Sequence, residues 1–214
     1  MAASPAEPRK ARPTLAEAPT APAPDAHKLA ALLQFEAEIR RQSTVNELQY
    51  LIANDARALV SYGQMFVLQQ KILGEGFSVA CASSLATIDR NAPLIQALER
   101  LLEKLNSAQT LDTPRNFNTA QMGEDEALDD YPYSNMRWQP LLSDDGQAFG
   151  GLLVAREEPL RDGETKRLER IADTGSHAWR ALKGNKPIRR LPGLSSTKKT
   201  VSYTHLTLPT TPYV

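Results

Sequence analysis

Apolar residues begin to recur with a helical period at Ala26 and stop doing so at Leu182. Leu29, Leu32, Leu33 and Ile39 form the stripe of a first helix, with Glu36, Glu38, Arg40 and Arg41 largely around it. That helix stops near Gln42. Thr44, followed three residues later by Glu47, is a capping box for a second helix. Its core positions are Leu48, Leu51, Ile52 and Leu59, and Gly63 is expected to end it. The pattern then shortens. Gln64 to Gln70 reads as a largely buried strand, and Phe77 to Ala82 alternates, which places Phe77, Val79 and Cys81 on one face. Gly74 and Gly76 lie between the two runs and predict a hairpin.

Asp89-Arg90-Asn91-Ala92-Pro93 has the form of a helix start, with Asn91 as cap and Pro93 in the first turn. Leu94, Ile95, Leu98, Leu101, Leu102 and Leu105 give this helix a wide apolar face. Residues 106–134 are polar and irregular, a long loop with room for one weak strand. Met136 to Leu142 is a strand, Ser143-Asp144-Asp145-Gly146 a turn in which Gly146 takes positive φ, and Phe149 to Ala155 a second, apolar strand. Asp162 is expected to cap a last helix whose inward positions are Leu168, Ile171, Ala172, Trp179 and Leu182. This order predicts an α+β domain over residues 26–184, an antiparallel sheet with helices packed on its faces.

The hairpin Pro140-Leu141, Asp145-Gly146, Gly150-Gly151-Leu152 with its closing helix resembles the C-terminal half of GAF domains. The helix pair before the first strand favours that fold over the related PAS arrangement. A second resemblance rests on Asp89 to Leu94, the leucine-rich helix, Trp138-Gln139-Pro140-Leu141 and the basic tract after the last helix. These are similar to the cytoplasmic N-terminal domain of bacterial membrane fusion proteins, the haemolysin-secretion-type periplasmic adaptors. The resemblance implies a regulatory or scaffolding domain ahead of a membrane helix, with a transporter as partner. It covers only the part before that membrane helix.

Composition changes the picture at both ends. Residues 1–25 are rich in Pro and Ala and are expected to be a disordered tail. After Lys183 there is no Asp or Glu, while Lys183, Lys186, Arg189, Arg190, Lys198 and Lys199 follow one another. Residues 185–200 therefore read as a juxtamembrane-like basic tract, a flank of the positive-inside kind, or else a solvated basic tail. Residues 201–214 resemble translated sequencing-adapter sequence and are expected to be non-native. On that view the true frame continues into a membrane helix, and the domain sits at the cytoplasmic face of the inner membrane. As written, the chain is expected to be soluble and cytoplasmic. Its 25 basic and 25 acidic residues cancel, which argues against a nucleic-acid partner.

Candidate chemistry is sparse. Cys81 is the single cysteine, so an intramolecular disulfide is excluded. Its functional readings are a bilin attachment point, a redox thiol or a sulfoxide-reductase nucleophile; its structural reading is a small buried residue on an alternating strand. Flanking Val79, Ala80, Ala82 and Ser83 supply nothing to lower its pKa. The acidic run Glu124 to Asp130 lacks the alternation of a calcium loop. His27, His177 and His205 are far apart in sequence and form no zinc pattern. Gly150-Gly151 lacks the Walker spacing and is expected to allow close helix packing or a bulge. Trp138 and Trp179 are expected in the core rather than in a ligand pocket. The sequence thus assigns no catalytic residue, no metal site and no cofactor, and leaves pocket residues unnamed. It predicts a non-catalytic domain, an adaptor fragment or alternatively a free-standing small-molecule sensor in signalling. A GAF-fold methionine sulfoxide reductase is the third reading. The two terminal helices predict a homodimer.

Overall fold

The computed structural model describes residues 24–71, 76–108, 111–119 and 126–184. Residues 1–23 of the Pro/Ala tail, the basic tract beyond Gly184 and the adapter-like end lie outside the described residues, while Pro24 and Asp25, expected in the tail, open the first helix. The first helix, α1 (Pro24–Arg41), turns Phe35, Glu36 and Ile39 inward, while Leu29 and Leu33 stay 57% and 58% exposed. The predicted stripe is thus corrected. At about 100° per residue, Leu33 lies roughly 120° around the helix from Ile39, so one face cannot bury both.

The capping box at the next helix, α2 (Val45–Asp55), is present: Thr44 Oγ1 accepts from the Glu47 N–H at 3.2 Å, and Glu47 accepts from the Thr44 N–H at 3.0 Å. Its end differs from the sequence reading. A 3-10 turn, Ala56–Ala58, follows Asp55, so neither Leu59 nor Gly63 belongs to the helix. The buried Tyr62 hydroxyl donates to the Ala53 carbonyl at 2.8 Å, satisfying a last-turn group that would otherwise lack a partner. Burial pushes that phenol up to about 12.

Strands β1 (Gln64–Gln70) and β2 (Phe77–Ala82) pair antiparallel, as the glycines between them predict. A bulge at Ala80 sets Val79 opposite Leu68 but Cys81 opposite Val67. One extra residue reverses the alternation. Phe77 and Val79 therefore pack on one face while Cys81 packs on the other, which corrects the single face expected of all three.

The third helix, α3 (Pro93–Ala108), starts as predicted, but Asp89 organises the turn: its side chain accepts from the Asn91 N–H at 2.9 Å and its carbonyl from the Ala92 N–H at 3.1 Å. Within the expected loop lie β3 (Arg115–Asn118) and a short helix, α4 (Glu126–Asp129), that buries Leu128. Strands β4 (Asn135–Leu142) and β5 (Ala148–Arg156) form the predicted hairpin, with Gly146 at φ 81°. The last helix, α5 (Asp162–Gly184), is fastened at its start by Glu164 rather than Asp162. Glu164 accepts from the Arg161 N–H at 3.1 Å and from the Ser61 N–H at 3.1 Å.

The five strands are all antiparallel, in the order β2-β1-β5-β4-β3. One face packs Val67, Leu152 and Val154 against α1, α2 and α5; the other packs Phe66, Leu68 and Leu153 against α3. Both flanks of the sheet carry closing devices. Along β2, Glu99 of α3 accepts the Val79 N–H at 3.0 Å. β3 covers β4 only as far as Trp138, and on the uncovered half Pro140 has no N–H while the Leu142 N–H donates to Ser176 Oγ at 3.1 Å. Antiparallel alternation places these two positions on the same outer edge, so strand addition there finds no donor.

Glu36 fastens α1 to α5. Its carboxylate meets Arg170 at 2.5 Å and Arg40 at 3.0 Å while its side chain is only 3% exposed. The hydrogen bond from Arg170 holds its pKa below the usual carboxylate value of 4.5, against burial, with Arg40 assisting. A lowered folded-state pKa stabilises above the unfolded value, and that contribution is lost as pH falls through the folded one. Urea denaturation over a pH series is therefore expected to show wild type losing stability below about pH 4.5 more steeply than Glu36→Gln. Equal acid slopes for the two proteins would contradict this linkage.

Candidate functional site

The space between the sheet and α3 is occupied by side chains. Trp138 is fully buried there, and its indole N–H donates to the Leu111 carbonyl at 2.7 Å. Phe77 stacks beside it with ring centroids 5.1 Å apart. The indole lies on Gly151, where a Cβ would come within 2.2 Å of the ring. Gly150 backs onto the Leu68 carbonyl, 2.6 Å from where its Cβ would stand. The glycine pair therefore admits an indole and a neighbouring strand rather than a helix, and the bulge expected as the alternative lies beside it at Phe149. Trp179 is equally buried, on the α5 side, as its helical position predicts.

Cys81 is half-buried against the α1–α2–α5 core. Burial pushes its thiol up, only partly offset by the backbone of Ala82; the S–H faces the Ala82 carbonyl at 3.9 Å. The nucleophilic species is the thiolate, so this environment opposes reactivity. His27 and His177 are both exposed; His177 lies 3.6 Å from Asp173 and 2.9 Å from Arg180 on α5. His205, Glu124 and Asp125 lie outside the described residues, among which no three His, Cys, Asp or Glu side chains are placed to hold a metal.

A concave site does occur on the other sheet face. Helix α5 covers β4 but leaves the end of the sheet toward β3 open. The groove there holds about 260 Å³. Its floor is polar: Asn116 and Asn118 from β3, Asn135 and Arg137 from β4, Arg156 from β5. Glu158, Pro159 and Leu160, between β5 and α5, form one side. Arg137 is 9% exposed and donates to Asn116 at 3.1 Å, Gln139 at 3.3 Å and Glu169 at 3.0 Å. Arg156 bridges the Ser61 carbonyl at 3.0 Å and Glu164 at 3.1 Å. Burial raises the pKa of Glu164, but the Arg161 and Ser61 N–H groups and Arg156 outweigh it and hold the group low. Sequence reasoning named none of these floor residues. The available signal was Asn135, Arg137 and Gln139 alternating with Met136 and Trp138 in a strand whose remaining residues are apolar.

No model of a known family matches the chain, and no curated protein matches it in sequence. Solved structures do. A fragment of a methyl-accepting chemotaxis protein superposes with a TM-score of 0.55 at 16% identity, over 72% of this chain and 100% of the other. The GAF domain of an Acinetobacter phosphoenolpyruvate-protein phosphotransferase gives 0.56 at 11% identity, over 76% and 98%. The fold is GAF-like. Free methionine-R-sulfoxide reductase from Neisseria meningitidis, solved with its substrate, gives 0.54 at 14% identity, over 77% and 95%. At these identities the likeness concerns the fold. Within the GAF-like domain, Asp89 shapes a helix start and Trp138 fills the core. The residues behind the adaptor resemblance thus have folding roles of their own. Among the described residues no helix is long and apolar enough to cross a membrane.

Proposed function

We propose that this chain is a non-catalytic regulatory domain that acts by binding, not by chemistry at its thiol. The observation that carries this reading is Cys81: half-buried, its pKa raised, and turned by the bulge toward the α1–α2–α5 face of the sheet. Cys81→Ser is expected to preserve the thermal midpoint. The native thiol is expected to react with a disulfide reagent at least about tenfold more slowly than in denaturant, because little thiolate is present. Thiol-dependent reduction of methionine sulfoxide that Cys81→Ser abolishes would overturn the reading in favour of a reductase.

Two finer readings follow. The sensor reading is supported by the polar groove beside β3 and by GAF-fold neighbours drawn from chemotaxis and phosphotransferase proteins. The adaptor reading is supported by the resemblance at Asp89 to Leu94 and Trp138 to Leu141 and by the basic tract. Resequencing the source DNA across the codons for Ser195 to Val214 separates them. A frame that departs near Thr200 into about 20 apolar codons supports the adaptor; a frame that encodes Tyr203 to Val214 and stops supports the sensor.

Homodimerisation through the terminal helices belongs to the same proposal. Leu29 and Leu33, one turn apart on α1, form an exposed apolar pair that the core does not use. Sedimentation is expected to show association at tens of micromolar that Leu29→Glu/Leu33→Glu abolishes. A strictly monomeric wild type at that concentration would remove the dimer from the proposal.

A further inference from the structure

The groove beside β3 has a polarity of its own, and its ligand can be read from it; this step rests on the regulatory reading. A guanidinium carries five N–H donors. In Arg137, Asn116 takes one from Nη1, while Gln139 and Glu169 take both from Nη2. That leaves one Nη1 proton, and a buried Nε–H that has no acceptor. The Asn116 amide accepts from Arg137 through its oxygen, so its NH2 group is unspent, and the residue is exposed. Unspent donors therefore lie at the floor, the Asn116 NH2 group exposed and the Arg137 Nε–H buried. On the rim stands Glu158, an exposed carboxylate that no cation engages among the described residues. Val154, Pro159 and Leu160 supply an apolar side between the two.

Charge decides between ligand classes. Arg137 is already balanced by Glu169 and Arg156 by Glu164. With Glu158 added, the cluster is net negative, which disfavours a simple anion. A simple cation would leave the floor donors unused. We infer that the groove binds a small zwitterion of the amino-acid class, its carboxylate on Asn116 and Arg137 and its ammonium on Glu158. The short apolar body between those groups lies along Val154 and Leu160. The groove's volume suits a molecule of that size.

The test uses the full chain and four probes. L-Leucine and 5-aminopentanoate carry both charges at two spacings; pentanoate and pentylamine carry one each. In ¹H–¹⁵N spectra, at least one zwitterion is expected to shift the Asn116, Asn118 and Arg137 amides at millimolar concentration. It should bind about tenfold tighter than either singly charged probe. Glu158→Gln is expected to reduce zwitterion affinity to that of pentanoate, and Asn116→Asp to weaken it through repulsion of the carboxylate. Both positions are exposed, so an unchanged thermal midpoint certifies the fold of each variant. Equal binding of pentanoate and the zwitterions would overturn the proposal, as would shifts confined to other residues or none at tens of millimolar. Such a failure leaves the regulatory reading intact, because Cys81 tests that separately.

Discussion

Trp138→Ala is expected to destabilise the domain by ~3–5 kcal/mol, the range for removing a large buried aromatic. The loss has two parts. The indole fills the α3-side core over Gly151, and its N–H satisfies the Leu111 carbonyl at 2.7 Å. Trp138→Phe separates them: the ring face is largely kept, but a buried carbonyl is left unpaired at a cost of about 1–3 kcal/mol. Chemical denaturation of the three proteins reads both steps. If Trp138→Ala lost less than about 1 kcal/mol, Trp138 would be no core residue.

Trp179→Ala is expected to cost a similar ~3–5 kcal/mol, with a different dependence on the ring nitrogen. Trp179 is fully buried on α5, edge-on to Phe149 with centroids 5.7 Å apart, and Lys183 Nζ lies 5.6 Å from its ring centroid. Its indole N–H is buried without a partner. Trp179→Phe therefore removes an unpaired donor along with some ring volume, and is expected to cost less than about 1.5 kcal/mol. The informative comparison is between the two phenylalanine variants. A larger loss at Trp138 than at Trp179 is the expected order, and the reverse order would contradict the hydrogen-bond assignment at Leu111.

Much of the fold was legible in local pattern. The capping box at Thr44 and Glu47, the strand Gln64–Gln70 and the turn at Gly146 depend on residues close in sequence, and each formed where predicted. So did the inward positions Leu168, Ile171 and Trp179 of α5, since a helix of that length presents one apolar face to whatever sheet it meets. The misses share a cause. Leu33 faces outward because α5 and α2 select which arc of α1 is covered, and Leu29, only about 20° around the helix from buried Glu36, is exposed about two turns nearer the helix start. Cys81 changed face because the bulge at Ala80 is set by pairing with β1, which the local sequence does not record.

The candidate groove shows the same division more sharply. By itself, the sequence determined an α+β domain, the order of its long elements and a core that holds both tryptophans, because periodicity, capping and turn chemistry act over a few residues. It also determined the absence of an intramolecular disulfide, since one cysteine cannot form one. Only the tertiary structure decided that Asn116, Arg137, Arg156 and Glu158 share one concavity. Those residues come from β3, β4, β5 and the segment that follows, and the sheet order β5-β4-β3 sets them side by side. Each alone is an ordinary polar residue on a strand or loop. Their meaning arises from long-range pairing and from where α5 stops covering the sheet, neither of which leaves a periodic trace in the chain.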